Sequence, residues 1–282
     1  MISERELKAS YTECAKVCRK SKSTFPWLFR MLPHAQYQAM NAVYAYCRLL
    51  DDAVDDGENR AIKLSNLSNI TTSLESALKG SNTHSIYPAV VDTIACFQLP
   101  REAFEELANG MRFDLEEKTI STEEDLLHYC DMVAGTVGRM VVGVCGVPNG
   151  SGDEYAISTG RALQLTNILR DVKEDYVKQK RCYIPETWLN ENKITVEDLI
   201  KYPAPDSVKS LLITVGGLTE KWYRTADETL PQQYKRELKF AEALRNVYKI
   251  LFERMRNKKF DTAHRVSLGK WNKVLLVLKY LI

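Results

Sequence analysis

Glycine and proline are scarce in this chain, 13 and 9 of 282 residues, together below the ordinary share of about 12%. So few breakers leave room for long helices. No C-x-x-C occurs, and the seven cysteines, Cys14, Cys18, Cys47, Cys96, Cys130, Cys145 and Cys182, make an odd count. That pattern argues against a disulfide framework or a zinc knuckle and fits a reducing compartment. The thiols read as small core residues, with a reactive thiol as the alternative. The four histidines, His34, His84, His128 and His264, are scattered and form no metal spacing. Neither sign of charge dominates: 39 Lys+Arg stand against 37 Asp+Glu, a net +2, so the basic excess of a nucleic-acid surface is missing. The longest uncharged apolar run is Met140–Pro148, and the tail run Val274–Leu278 is shorter; both are far from the ~20 residues that span a bilayer. Met1–Lys20 is charged throughout and shows no signal-peptide pattern, so a cytoplasmic protein is expected.

What is present is an ordinary globular composition, 45% hydrophobic and 27% charged, enough for a sizeable core. Helical periodicity recurs almost everywhere, while alternating strand patterns, repeats and low-complexity tracts do not. It predicts helices over 4–20, 34–56, 60–79, 86–97, 101–118, 122–146, 153–178, 206–228, 232–258 and 271–281. Pro33 precedes the second as a helix opener, and Ser121 with Glu124 resembles a capping box. The breaks at Lys79–Ser85, Gly146–Gly152 and Tyr202–Pro205 are short turns rather than linkers. One all-α domain over residues 1–282 is the simplest reading. The tail Trp271–Ile282 reads as a packed helix, with an interfacial helix as the alternative.

Two segments carry chemistry. In Tyr44-Ala-Tyr-Cys-Arg48-Leu-Leu-Asp51-Asp52-Ala-Val-Asp55-Asp56, Tyr44, Arg48, Asp51 and Asp55 fall within roughly 60° of one another on a helix. Asp52 flanks them, and Ala42, Ala45, Leu49 and Ala53 lie opposite. In Gln164-Leu-Thr-Asn167-Ile-Leu-Arg170-Asp171-Val-Lys-Glu-Asp175, Gln164, Asn167, Asp171 and Asp175 lie within about 80°. Leu163, Leu165, Ile168, Leu169 and Val172 surround this strip, so the helix is expected to be buried with its strip facing something polar. Carboxylates at i and i+4 repel each other by a few tenths of a kcal/mol. Either these are solvated acidic faces, or they hold divalent cations: Mg²⁺ takes hard oxygen ligands, usually a few carboxylates plus substrate phosphates.

A diphosphate also needs cationic donors. Candidates are Arg48 and Arg170 within the acidic segments, and Arg181, Arg265, Lys270 and Lys273 elsewhere; for each, a plain surface charge is the alternative. Ser21-Lys22-Ser23-Thr24-Phe25 offers hydroxyls and a lysine, or is simply a loop. In Tyr129-Cys-Asp-Met-Val-Ala134-Gly135-Thr-Val-Gly138, small residues allow close approach by another helix or by an apolar ligand. Glycines inside a helix cost roughly 1 kcal/mol each, so a reason is expected.

Together these segments resemble the squalene/phytoene synthase family, over nearly the whole chain from Ser21 to about Lys273. The motifs that carry the resemblance are Tyr-x-x-x-Arg-x-x-Asp-Asp-x-x-Asp at 44–55 and Gln-x-x-Asn-x-x-Arg-Asp-x-x-x-Asp at 164–175. Tyr129 with Val-Ala-Gly-Thr-Val-Gly at 133–138, Arg181-x-Tyr183-x-Pro185 and Met111-Arg112-x-Asp114-Leu115 add to them. The resemblance implies an all-α isoprenoid (terpenoid) synthase fold around a central cavity. The activity it implies is Mg²⁺-dependent head-to-head condensation of two prenyl diphosphates, farnesyl favoured over geranylgeranyl. Such a reaction passes through a presqualene-type cyclopropyl diphosphate to dehydrosqualene or phytoene. By the same resemblance, two or three Mg²⁺ ions are held by Asp51, Asp55, Asp171 and Asp175, with Asn167 assisting and Asp52 as a further ligand. Arg48, Arg170, Tyr248 and Arg265 match positions that hold diphosphate. Tyr44, Tyr129 and Tyr183 match tyrosines lining the reaction chamber, and Gln164 is a polar lining residue. NADPH is not expected, no nucleic-acid partner is expected, and peripheral membrane contact for release of a hydrocarbon stays open. Two departures stand out. The family's Ser-x-Ser-Phe reads Ser-Lys-Ser-Thr-Phe here: counted back from Phe25, Thr24 takes the second serine position, and counted from Ser21, Ser23 does, so which of Ser21, Ser23 and Thr24 faces phosphate stays open. Lys173 stands where relatives carry a small residue, and either weakens a metal site or points away.

Overall fold

The structure is a computed structural model. It describes residues 2–21, 25–55, 59–81, 84–261 and 265–269, with only the backbone of Phe25, Trp27 and Asp55. Among the described residues, twelve α-helices are joined by short 3₁₀ turns and one π-turn, and no strand occurs. The helices gather into two compact units, Met1–Glu116 with Arg139–Ser151, and Glu117–Gly138 with Gly152–Ile282.

The first unit contains α1 (Glu4–Lys20), α2 (Phe25–Leu28), α3 (His34–Asp55), α4 (Arg60–Leu78), α5 (Tyr87–Cys96) and α6 (Arg101–Leu115). Local chemistry starts these helices. Ser3 and Glu6 close a reciprocal capping box on α1, and Asn59 caps α4 through its side chain. The long α3 packs against α1, α4, α5 and α6. Its buried face is Ala42, Val43, Ala45, Tyr46, Leu50 and Ala53. Tyr46 is fully buried with its ring 5.2 Å from Phe104, and its hydroxyl donates to the Phe104 carbonyl at 3.3 Å. Burying each such side chain stabilises the fold by about 1.5–3 kcal/mol. The opposite, polar face of α3 is thereby left half-exposed.

The second unit contains α7 (Glu123–Cys130), a π-turn (Asp131–Gly135) and the start of α8 (Thr136–Val144). It continues with α9 (Asp153–Gln179), α10 (Glu186–Glu191), α11 (Asp206–Glu228) and α12 (Lys239–Asn257). At its centre, α9 packs on α11, α12 and the π-turn. Leu165, Thr166, Ile168, Leu169 and Val172 are buried, and Thr166 shares a buried 3.0 Å hydrogen bond with Tyr223 of α11. The small residues of 134–138 serve helix packing here. A Cβ on Gly138 would lie 2.6 Å from the Ala156 carbonyl oxygen, and one on Gly160 would lie 2.5 Å from the Gly135 nitrogen.

Several expectations are corrected in detail. The segment expected as one helix over 122–146 is two helices separated by the π-turn. Its capping box is Thr122 with Asp125, one residue beyond Ser121 and Glu124, because Thr122 is the last residue with extended backbone. Helix 101–118 ends at Leu115. The segment 232–258 opens with a 3₁₀ turn, Gln232–Tyr234, before α12 begins at Lys239. The short α2 and α10 are too brief to show a hydrophobic period. On α3, Leu49 is half-exposed while Tyr46 and Leu50 are the buried pair. The tail helix expected over 271–281 lies outside the described residues. None of the described helices is long and apolar enough to cross a membrane.

Candidate active site

On α3, the polar stripe predicted from spacing is partly exposed at Tyr44, Arg48, Asp51 and Asp52. The Tyr44 hydroxyl donates to Ser21 Oγ at 2.9 Å, and its ring meets Phe29 edge-on at 6.0 Å. Two candidates from distant motifs, Ser21 and Tyr44, are therefore in direct contact. Ser23 and Thr24 lie outside the described residues, as does the Asp55 side chain at the end of α3. Arg48 pairs with Asp52 one turn along. Burial works against the Arg48 charge, but the Asp52 hydrogen bond and the charges of Asp52 and Asp51 outweigh it and raise its pKa.

On α9, the stripe is built as the spacing predicts. Gln164, Asn167, Asp171 and Asp175 are all half-buried on a helix whose other face is core. Asn167 Nδ2 donates to Gln164 Oε1 at 3.3 Å, while Asn167 Oδ1 is buried with no hydrogen-bond partner. Asp171 is held by two guanidinium groups. Arg170 Nε donates to its Oδ1 at 2.9 Å and Arg170 Nη2 to its Oδ2. Arg265, 94 residues away in sequence, donates from Nε at 2.7 Å and from Nη2 at 3.3 Å. Partial burial pushes the Asp171 carboxyl up, but the two arginines prevail and hold it below its ordinary value. Arg265 is raised in turn by its Asp171 hydrogen bond and by the charges of Asp171, Glu174 and Asp175. Burial raises the Tyr248 hydroxyl, opposed by the Arg170 charge and by hydrogen bonds to Asn167 and Arg170. Gln164, Asn167, Arg170, Asp171, Tyr248 and Arg265 thus form one connected polar cluster.

The remaining predicted residues divide. Tyr129, almost fully buried, stacks on Tyr183 with centroids 4.9 Å apart and planes 21° from parallel. Arg181 donates to Gln179 at 2.8 Å on an exposed edge. Lys173 lines a cavity of about 280 Å³ with Leu169, Val177 and Met255. It sits roughly 200° around the helix from Asp171, off the line of the stripe, and shares that cavity with Arg170 and Arg265, the two arginines that hold Asp171. Lys270 and Lys273 lie outside the described residues. Three participants were not foreseen: Glu174, Asp131 and Arg161. Glu174 Oε2 forms an ion pair with Arg265 Nε at 3.2 Å. Asp131 accepts two hydrogen bonds from Arg161, each at 2.6 Å. The signal for Arg161 was present: it stands three residues before Gln164, on the same face of α9.

Among the described residues, no three His, Cys, Asp or Glu side chains gather closely enough to hold an ion unaided. Mg²⁺ does not require that, since it is usually bound through one or two carboxylates plus substrate phosphates and waters. The donor types fit such an ion: a hard carboxylate at Asp175 and the orphaned Asn167 Oδ1 lie on one stripe. The Asp171 oxygens are taken by Arg170 and Arg265 and reach a metal only once those guanidinium groups turn to another anion. The guanidinium groups at Asp171 neutralise a carboxylate that would otherwise carry an uncompensated charge in a half-buried site.

An all-helical chain whose longest helix carries this amide and carboxylate stripe, clamped by arginines, falls in the class of helical isoprenoid synthases. The profile of the squalene/phytoene synthase family matches residues 18–272, and the chain belongs to that family. A presqualene diphosphate synthase of Rhodopseudomonas palustris is 31% identical over 265 residues, covering 92% of this chain and 93% of its own. A 4,4'-diapophytoene synthase of Staphylococcus haemolyticus is 30% identical over 277 residues, covering 95% and 94%. A crystal structure of a dehydrosqualene synthase in complex with ligand shares the fold, with a TM-score of 0.84 over 98% of this chain and 96% of that one at 24% identity. The all-α terpenoid-synthase fold expected from the sequence is therefore correct, and the protein is an enzyme of the head-to-head prenyltransferase family.

Proposed function

We propose that this enzyme joins two molecules of farnesyl diphosphate head to head and carries them through a cyclopropyl diphosphate to dehydrosqualene, acting as one catalytic domain over residues 1–282. The observation that carries this reading is the α9 cluster, in which Asp171 is held bidentately by both Arg170 and Arg265 beside Asn167 and Tyr248. Asp51, Asp52 and Asp55 on α3, and Asn167, Asp171 and Asp175 on α9, are the proposed metal ligands. Bound there, Mg²⁺ would neutralise diphosphate oxygens and favour departure of the leaving group.

The chain's own residues account for the rest. Arg48, Arg170 and Arg265 present planar donors that match diphosphate oxygens, and Tyr248 adds a hydroxyl. As the first diphosphate leaves, positive charge develops on an allylic carbon. The stacked faces of Tyr129 and Tyr183 stabilise a nearby cation by roughly 0.5–2 kcal/mol. Tyr44 on α3 and Ser21 at the end of α1 position the substrate head. The reaction requires surroundings that keep water away, because water would quench the cation. The 2,3-double bond of the second substrate attacks, and loss of a proton closes the cyclopropane. A second ionisation, rearrangement and proton loss give the hydrocarbon.

Incubating the purified chain with Mg²⁺ and farnesyl or geranylgeranyl diphosphate tests this reading by product mass. A C30 hydrocarbon with released diphosphate, unchanged by NADPH, supports it. A C40 hydrocarbon from geranylgeranyl diphosphate alone redirects it to phytoene, and reduction by NADPH redirects it to squalene. Asp51→Ala and Asp171→Ala should abolish product while leaving the helical circular dichroism intact, and full activity in EDTA would refute the metal ligands. A second reading, a synthase that stops at the cyclopropyl diphosphate, is favoured by the presqualene diphosphate synthase relative at 31% identity. A product that retains one diphosphate identifies it.

A further inference from the structure

One guanidinium ties three helices together in the second unit. Arg161 of α9 donates from Nε and Nη2 to the two oxygens of Asp131, each at 2.6 Å. Its guanidinium carbon lies 4.3 Å above the ring of Trp222 on α11. Asp131 is the first residue of the π-turn, two residues after Tyr129. The same turn is pressed against α9 at Gly160, which has no room for a Cβ beside Gly135 and Ala134. Thr136 closes the turn, donating its amide to the Asp131 carbonyl and its hydroxyl to the Met132 carbonyl at 2.7 Å.

A π-turn inserts an extra residue and so resets the direction of every side chain on the helix beyond it. Here the bidentate pair, the aromatic face and the glycine contact all act on that one turn. They are in addition to any role of the α9 stripe, whose nearest member, Gln164, lies one turn from Arg161. A planar guanidinium making two parallel bonds fixes distance and angle together, which a lysine cannot do.

We propose that Asp131 and Arg161 are positioning residues. Their pair, seated on Trp222, locks the π-turn onto α9 and thereby holds Tyr129 stacked on Tyr183 in register with the Gln164, Asn167 and Asp171 stripe. Neither residue touches the reacting atoms. The proposal rests on the reading that Tyr129 faces the substrate. Displacement of a reacting or stabilising group by about 1 Å can cost a hundredfold in rate, so loosening this turn should act on turnover rather than on substrate affinity.

Two measurements test it. The first is steady-state diphosphate release by Asp131→Asn, Arg161→Gln and the double variant, with Mg²⁺ and farnesyl diphosphate. The expected result is a kcat lower by about tenfold in each single variant, KM within twofold, a double variant no worse than either single, and partial recovery in Arg161→Lys. Unchanged kcat in both singles, multiplied losses in the double, or a raised KM at unchanged kcat would overturn the proposal. The second measurement needs no turnover. Amide hydrogen exchange in Asp131→Asn should quicken severalfold over 131–136 and leave α12 unchanged, whereas unchanged exchange over 131–136 overturns the proposal. If the wild-type chain shows no activity while this exchange result holds, the reading of Tyr129 falls and the clamp stands.

Discussion

At the scale of single residues, Asp171 is the most strongly committed side chain of the site. Its pKa is held below the ordinary 3.8 by Arg170 and Arg265 against partial burial. A carboxyl depressed in the folded state contributes stability that is fully present above its unfolded pKa. That contribution is lost as the pH falls through the lower, folded value. In EDTA, the difference in thermal midpoint between wild type and Asp171→Asn should therefore hold from neutrality down to about pH 4 and shrink below it. The cysteines give a second residue-scale test. Burial pushes the thiols of Cys14 and Cys18 up to about 12, so almost no thiolate exists at pH 8. Cys96 is exposed. Alkylation of the native protein, located by peptide mass, should mark Cys96 first and reach Cys14 and Cys18 only after unfolding.

At the scale of elements, α9 joins the core to the chemistry. One face buries Leu165, Ile168, Leu169 and Val172, and the other presents Gln164, Asn167, Asp171 and Asp175. This division follows from the 3.6-residue period alone, so the stripe was legible before any contact was known. The π-turn was not legible. Its sequence reads as continuous helix, and it persists because Gly160 and the Arg161–Asp131 pair hold it against α9. Adding a methyl at Gly160 would drive it into the Gly135 backbone, where no flexible side chain can yield. Gly160→Ala should destabilise the protein by about 1–3 kcal/mol, seen as a lower thermal midpoint, despite the better helix propensity of alanine.

At the scale of the whole molecule, a net charge of +2 conceals segregation: acids on α3 and α9, with arginines paired to them. Anionic substrate and metal should therefore bind together, each lowering the electrostatic cost of the other. A non-hydrolysable farnesyl diphosphate analogue at a hundred times its Kd should stabilise the fold by about 2.7 kcal/mol in the presence of Mg²⁺, and by much less in EDTA. A differential scan with analogue alone, Mg²⁺ alone and both together checks this.

The sequence by itself determined the all-α class, most helix boundaries to within a few residues, and the phase of both acidic stripes. Each of these depends on contacts between residues three or four apart, which a linear pattern records directly. It also carried the family resemblance, because those stripes and the Tyr129 segment stand as contiguous motifs. Only the tertiary structure decided which partners meet: Arg265 with Asp171 across 94 residues, Tyr129 on Tyr183, and Arg161 between Asp131 and Trp222. Each of those meetings depends on the path of the chain between the partners. No local period encodes that path; it is set by how the buried faces of α9, α11 and α12 fit one another.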